Sequence, residues 1–199
     1  MSDAHASDAD ASDPWLAPRS PLDGMAAPSG PKFALAQVPP AERFIFRGEE
    51  DARPACSAAF GAELPAKLGQ AGEGVDRAAM WLGPDEWLLI AEGVDPEMFP
   101  AEIAEALKGS PYSLVDVSHR QLGLVVSGTG AARALSAGCP LDLHLSAFPV
   151  GMATRTIFDK AEIVLWRRGE MGFHVEVWRS FAPYLVAALI EASRGALEW

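Results

Sequence analysis

The chain has 199 residues and a formal net charge of -11, with 49% hydrophobic and 22% charged residues. That composition supplies a core for one domain or two fused halves, excludes a wholly disordered chain, and argues against nucleic acid or an anionic membrane surface as partner. The two cysteines, Cys56 and Cys139, provide no disulfide framework and fit a reducing, cytoplasmic compartment, and no apolar run approaches the ~20 residues of a membrane helix.

Residues 1–31 hold five Asp, one Arg and five Pro, with Trp15-Leu16 as their bulkiest feature. Such a segment buries too little apolar area to offset its ordering entropy, so it is predicted to be a disordered or partner-ordered arm. Taking its five acids and one base from the totals of 27 and 16 leaves 22 and 15, so the body stays acidic at -7. Arg43–Gly48 then reads as a short strand, followed by a helix from about Glu50 to Phe60 that Gly61 ends. Ala79–Leu82 and Glu86–Ala91 flank the turn residues Gly83-Pro84-Asp85 as a hairpin. Asp95 as N-cap, Pro96 after it and Gly109 past the end frame a helix whose Phe99, Ile103 and Leu107 share a face.

The pattern then recurs. Gly123–Gly128 precedes a helix at Ala131–Leu135 that Gly138 ends, and Gly48, Ala52 and Arg53 match Gly128, Ala132 and Arg133 at an offset of 80. Thr154–Phe158 and Glu162–Arg167, around Asp159-Lys160, are read as the counterpart hairpin. Phe173–Trp178 alternates as a half-exposed strand, and Ser180 to about Arg194 carries a helical stripe of Leu185, Ala188, Leu189 and Ala192. A β-α-β-β-α order given twice predicts an α+β protein of duplicated split-βαβ, ferredoxin-like halves with antiparallel sheets, at 32–110 and 111–199 in one compact unit. Strands such as Trp87–Ala91 and Leu122–Val126 are apolar at both parities, so each face needs cover. Either the half-sheets pack on each other or another protein covers one face.

Candidates for chemistry are few. The histidines at 5, 119, 144 and 174 form no pair at i+2, i+3 or i+4, and Cys139 with His144 cannot complete a zinc site. His174 and Glu176 share a strand face as a possible acid/base pair, with an inconsequential surface pairing as the plainer reading. Gly128-Thr129-Gly130 lacks the spacing of a dinucleotide or nucleotide triphosphate loop and reads as a tight turn into a helix. Asp116-Val117-Ser118-His119-Arg120-Gln121 is the densest polar stretch between apolar strands, either a contact surface or a connection that satisfies its own backbone.

Leu114–Arg120, Gly123–Gly128, Ala131-Ala132, Gly138–Leu143, Phe148–Gly151 and Phe173–Ala182, with Trp81–Leu88 before them, together resemble the gamma subunit family of bacterial heterotetrameric sarcosine oxidase. The resemblance covers about residues 42 to 193, and Arg19–Leu22 looks like the family's start. It implies a fold like the folate-binding domain of the glycine-cleavage aminomethyltransferase. It also implies a complex that oxidises sarcosine to glycine with hydrogen peroxide and 5,10-methylenetetrahydrofolate. In that family FAD, FMN, NAD and the tetrahydrofolate site belong to the alpha and beta subunits and zinc to delta, so this chain is expected to hold no cofactor and to pack chiefly on alpha. The acidic motif that supplies a catalytic Asp in the aminomethyltransferases has no match at Asp159-Lys160, and no catalytic, cofactor or metal residue carries over.

The leading expectation is therefore a non-catalytic structural subunit with alpha, beta and delta partners. The alternative is a stand-alone tetrahydrofolate-binding aminomethyltransferase-like protein; a third reading is a hydrolase using Cys139 or Cys56 with His119 or His144. Partner surfaces favour aromatics and Arg, which makes Trp15, Asp116, His119, Arg120, Trp166, Trp178 and Arg179, with Arg167 and Arg168 beside them, the candidate contacts.

Overall fold

The computed structural model describes residues 19–197. The elements run β1 (Ala34–Gln37), β2 (Glu42–Gly48), α1 (Ala52–Phe60), β3 (Ala71–Gly74), β4 (Arg77–Gly83), β5 (Glu86–Ala91) and α2 (Met98–Ala106). They continue with β6 (Tyr112–Asp116), β7 (Gln121–Ser127), α3 (Ala131–Ser136), β8 (Ala153–Phe158), β9 (Ala161–Gly169), β10 (Gly172–Trp178) and α4 (Ala182–Leu197). Local signals account for several ends. Gly61 closes α1 in the left-handed conformation, its N–H donating to the Ser57 carbonyl. Asp95 accepts from the N–H groups of Glu97 and Met98 at 2.8 and 3.3 Å, just ahead of α2.

All strand pairing is antiparallel, in two five-stranded sheets ordered β1-β7-β10-β9-β8 and β6-β2-β5-β4-β3. In this order the sheets match position by position, which places the duplication in the fold itself. The halves expected at 32–110 and 111–199 follow the chain, but the sheets exchange their leading strands. β1 pairs with β7 through Leu35↔Val126, and β6 pairs with β2 through Ile45↔Val115. Pro39-Pro40 hold the β1–β2 connection extended, so the chain crosses between sheets where a hairpin would have folded back. By sheet position the counterpart of the β4–β5 hairpin is β9–β10, and not the β8–β9 pair inferred from spacing. Short apolar runs around a turn look alike in sequence, and only the neighbouring strand distinguishes them.

Three apolar clusters fix a helix, sheet, sheet, helix layering. α1 and α2 bury Cys56, Phe60, Phe99 and Ile103 against Phe44, Phe46, Trp87 and Leu89 of β2 and β5. α3 and α4 bury Ala134, Leu135, Leu185 and Leu189 against Leu124, Leu165 and Val175 of β7, β9 and β10. The opposite parities meet between the sheets, where Ala78, Met80, Leu88 and Ile90 face Ala153, Val164 and Trp166. The demand for two-sided cover is thus met within the chain. Each such buried Leu, Ile or Phe contributes roughly 1.5–3 kcal/mol, so these clusters dominate the stability.

Residues 19–31, counted with the arm in the sequence reading, pack on the body. Leu22 and Met25 touch the α3–α4 cluster, and the Leu35 N–H donates to the Pro28 carbonyl at 2.9 Å. The N–H groups of Thr129 and Gly130 donate to the carbonyls of Pro31 and Lys32 at 3.4 and 2.7 Å. Gly128 permits that approach: its φ is +111°, and a Cβ there would lie 2.5 Å from the Lys32 oxygen. The N–H groups of Thr129 and Gly130 at this turn are thus satisfied by the chain itself. Trp15 lies outside the described residues.

Candidate functional site

Two places gather the polar residues singled out in the sequence. The first is between the sheets. β10 occupies the middle of its sheet, and His174 and Glu176 are buried on the face toward β2. The expectation of a half-exposed strand with a surface His–Glu pairing is corrected here: the second sheet covers that face. Glu176 Oε1 accepts from His174 Nε2 at 2.7 Å and from an Arg43 guanidinium NH2 group at 3.0 Å, and its Oε2 accepts from Arg43 Nε at 2.6 Å. Arg43 also donates to the Ala41 carbonyl at 2.7 Å. The fork-to-carboxylate geometry is the strong, charge-assisted kind.

Burial pushes the Glu176 carboxyl up, but the hydrogen bond and charge of His174, together with Arg43, outweigh it and hold the group below the ordinary carboxylate range. Gly123 of β7 stands opposite Glu176, and a Cβ there would fall 2.7 Å from Glu176 Oε1 and 2.8 Å from the Arg43 guanidinium. The glycine therefore makes room for the cluster. Arg43 and Gly123 escaped the sequence reading. The signal available was an Arg sharing parity with Ile45, on the inner face of a strand whose other face is Phe44 and Phe46. Beside the cluster opens a cleft of about 530 Å3 between the sheets, lined in part by Arg43, His174, Trp166, Ile90 and Val125.

The second place is one end of the molecule. The β6–β7 connection and the β10–α4 junction bring His119, Arg120, Trp178 and Arg179 around a shallow pocket of about 440 Å3 that Pro21 completes. Arg120 lies over the Trp178 ring at 5.4 Å, and the Arg179 N–H donates to the Arg120 carbonyl at 2.7 Å. The Arg179 guanidinium also donates to the Arg19 carbonyl, tying the segment before β1 to this end. Asp116 sits nearby but closes the turn, accepting from the Ser118 N–H and hydroxyl at 2.8 and 2.6 Å. The polar stretch thus divides: Asp116 and Ser118 satisfy the backbone, while His119 and Arg120 are exposed.

Trp166 and Arg167 do not join that end. Trp166 is 2% exposed on the inner face, near the His174 ring and beneath Arg168, so it presents no surface to a partner. Arg167 is buried on the opposite face, over the Phe173 ring, and donates to the carbonyls of Glu170 and Leu143. Burial lowers its pKa. Arg168 pairs with Glu73 at 3.2 Å across the cleft mouth.

The cysteines are packed rather than poised. Burial raises the Cys139 thiol, although hydrogen bonds from Thr156 and Leu141 act the other way, and His144 engages Ser146 instead. Burial pushes the Cys56 thiol up to about 12. Near pH 8 only about one Cys56 in ten thousand would then be thiolate, the reactive form. Iodoacetamide is expected to leave Cys56 unlabelled in the native chain and to label it in denaturant, read by mass spectrometry; native labelling at the rate of a free thiol would contradict this. Among the described residues, no group of three or more His, Cys, Asp or Glu is placed to hold a metal ion, and no helix is long and apolar enough to cross a membrane.

The sarcosine oxidase gamma subunit family model matches residues 48–195. The sarcosine oxidase subunit gamma of an Arthrobacter species is 37% identical over 139 residues, covering 69% of this chain and 68% of that one. A chain in the structure of heterotetrameric sarcosine oxidase from Corynebacterium sp. U-96, in complex with pyrrole 2-carboxylate, superposes with a TM-score of 0.81 at 31% identity. That match covers 90% of this chain and 96% of the other. The glycine cleavage system aminomethyltransferase T from Bartonella henselae shares the fold, with a TM-score of 0.61 at 18% identity over 80% of this chain and 46% of that one. The duplicated α+β architecture read from the sequence is the one these proteins have. The chain belongs to the sarcosine oxidase gamma subunit family.

Proposed function

We propose that the chain is the gamma subunit of a bacterial heterotetrameric sarcosine oxidase and acts as a non-catalytic structural part of it. The observation that carries this is the near end-to-end match, 90% of this chain against 96% of the other, to a chain of the heterotetrameric enzyme. On this reading the cytoplasmic complex demethylates sarcosine oxidatively to glycine, with hydrogen peroxide and 5,10-methylenetetrahydrofolate as the other products. FAD, FMN, NAD, tetrahydrofolate and zinc are held by the alpha, beta and delta subunits. Gamma docks chiefly on alpha, through the end formed by His119, Arg120, Trp178 and Arg179, with Asp116 shaping its turn. The exposed pairing of an arginine with a tryptophan supports that choice, because these residue types anchor interfaces. Trp15 is a further candidate contact with alpha.

The test is affinity purification of the full chain from cells that also express the other subunits. Flavin absorbance should co-elute with it, and sarcosine-dependent peroxide formation should appear in that fraction and not with the chain alone. A flavin-bearing, active chain without partners would overturn the reading. So would a chain that never retains a flavoprotein. Tight tetrahydrofolate binding by the isolated chain would favour the stand-alone transferase, for which only the shared fold speaks.

A further inference from the structure

The two halves of the duplication differ at one sheet edge. β1 and β6 hold the same place, each the outermost strand of its sheet, beside β7 and β2 respectively. Leu35 of β1 stands opposite Val126, and Leu114 of β6 stands opposite Phe46. Val126 and Phe46 are 80 positions apart, the offset of the duplication, so Leu35 and Leu114 are equivalent, as are Phe33 and Tyr112 two positions before them. Alternate residues of an antiparallel edge strand turn their N–H and C=O groups away from the sheet. The Val38 N–H donates to the Gly123 carbonyl at 3.0 Å and the Val117 N–H to the Arg43 carbonyl at 2.8 Å, which fixes the phase: Leu35 and Leu114 both face outward.

On β1 the outward groups are taken up by the chain itself. The Leu35 N–H donates to the Pro28 carbonyl at 2.9 Å and the Gly30 N–H to the Phe33 carbonyl at 3.0 Å, an antiparallel bridge at Ser29↔Ala34. On β6 no backbone group among the described residues takes that place. Phe33 and Leu35 are buried, whereas Tyr112 is exposed and Val115 is 50% exposed. Edge strands are ordinarily guarded by a basic residue, a proline or a bulge. Tyr112–Asp116 has none of these, and Asp116 is turned to Ser118. β8, an outermost strand of the other sheet, carries Arg155, paired with Glu86 at 2.6 Å.

We propose that β6 receives an extended segment of the flavoprotein partner as a further strand, as Pro28–Gly30 lies on β1. A carbonyl of that segment accepts from the Leu114 N–H, one of its N–H groups donates to the Tyr112 carbonyl, and its apolar side chains cover Tyr112 on one face and Val115 on the other. In such strand addition the ladder hydrogen bonds give affinity and the side chains give specificity. The inference rests on the assembly reading, because β6 runs through Val117 and Ser118 directly into His119 and Arg120 of the docking end. A second copy of the chain is the poorer occupant, since each copy carries a net charge of -11.

The experiment is hydrogen exchange of the full chain alone and within the co-purified complex, resolved to single amides by fragmentation mass spectrometry. The Leu35 amide should exchange slowly in both states. The Leu114 amide should exchange fast in the chain alone and at least about tenfold more slowly in the complex. Leu114→Pro removes the outward N–H and no bond to β2, whereas Leu114→Ala removes the same side chain and keeps the N–H. Leu114→Pro should therefore retain the flavoprotein about tenfold more weakly than Leu114→Ala, the effect of one lost hydrogen bond. If Leu114→Pro fails to fold, exchange in the wild-type chain decides. A retained partner with Leu114 exchange unchanged, or equal retention of two folded variants, would overturn the added strand and leave the assembly reading standing. A chain that retains no flavoprotein overturns both. Protection of Leu114 that grows with concentration in the chain alone would give the edge to a second copy and overturn the proposal.

Discussion

Replacing Glu176 with alanine is expected to destabilise the fold by about 3–5 kcal/mol, the cost of stranding a buried charge. The Arg43 side chain is 4% exposed and its Nε and one NH2 group donate to that carboxylate, so removing Glu176 leaves a guanidinium between two sheets with one carbonyl for company. For an m-value of about 2 kcal/mol/M, the urea midpoint should fall by about 1.5–2.5 M. The double variant Arg43→Leu, Glu176→Leu separates the stranded charge from the lost pair. Its loss should be well below the sum of the single losses, because no charge remains unpaired. Additive losses would show that the cluster is not coupled. The sign of the pH dependence also follows. Glu176 is held below its ordinary value in the fold, so its contribution is present above the unfolded value of about 4.3 and is lost as pH falls through the folded value. The gap between the wild-type chain and Glu176→Ala should therefore close in acid, and a gap that widens in acid would contradict the assignment.

The second large effect is expected on assembly rather than on the fold. Trp178→Ala and Arg120→Glu should each weaken retention of the flavoprotein partner by about 30-fold or more, the consequence of losing an interface anchor worth about 2 kcal/mol. Trp178 is 40% exposed and makes its stacking contact with another exposed side chain, so both variants should unfold at nearly the wild-type urea midpoint. Val75→Ala, at a residue 86% exposed in the β3–β4 turn of the other sheet, serves as the control that leaves assembly intact. Undiminished co-purification of both variants would move the docking surface away from this end.

Individual residues show where sequence reading succeeds. Gly61 ends its helix because a left-handed residue there is a local requirement, visible without any partner. The two-sided apolar character of Trp87–Ala91 demanded cover on both faces, and the second sheet supplies it. The exposed positions His119, Arg120, Trp178 and Arg179 were named one by one, and the fold brings them to one end. Trp166 and Arg167 were named on the same compositional grounds and lie inside, because a strand near the middle of a sheet is covered whatever its residue types.

The sequence by itself determined the four helices, seven of the ten strands, the duplication and the family, while the short strands β1, β3 and β6 emerged only in the structure. What the sequence determined is written in local periodicity, turn residues and short segments in fixed order. Tertiary structure alone decided the rest, because it depends on which distant segments become neighbours. The exchange of β1 and β6 between sheets rests on a crossing that no hydrophobic pattern encodes. Arg43 and Glu176 stand 133 positions apart, and neither looks exceptional until the sheets close over both. A polar residue on an apolar strand reads as surface until a partner for its charge is found. Here that partner comes from the other half of the duplication.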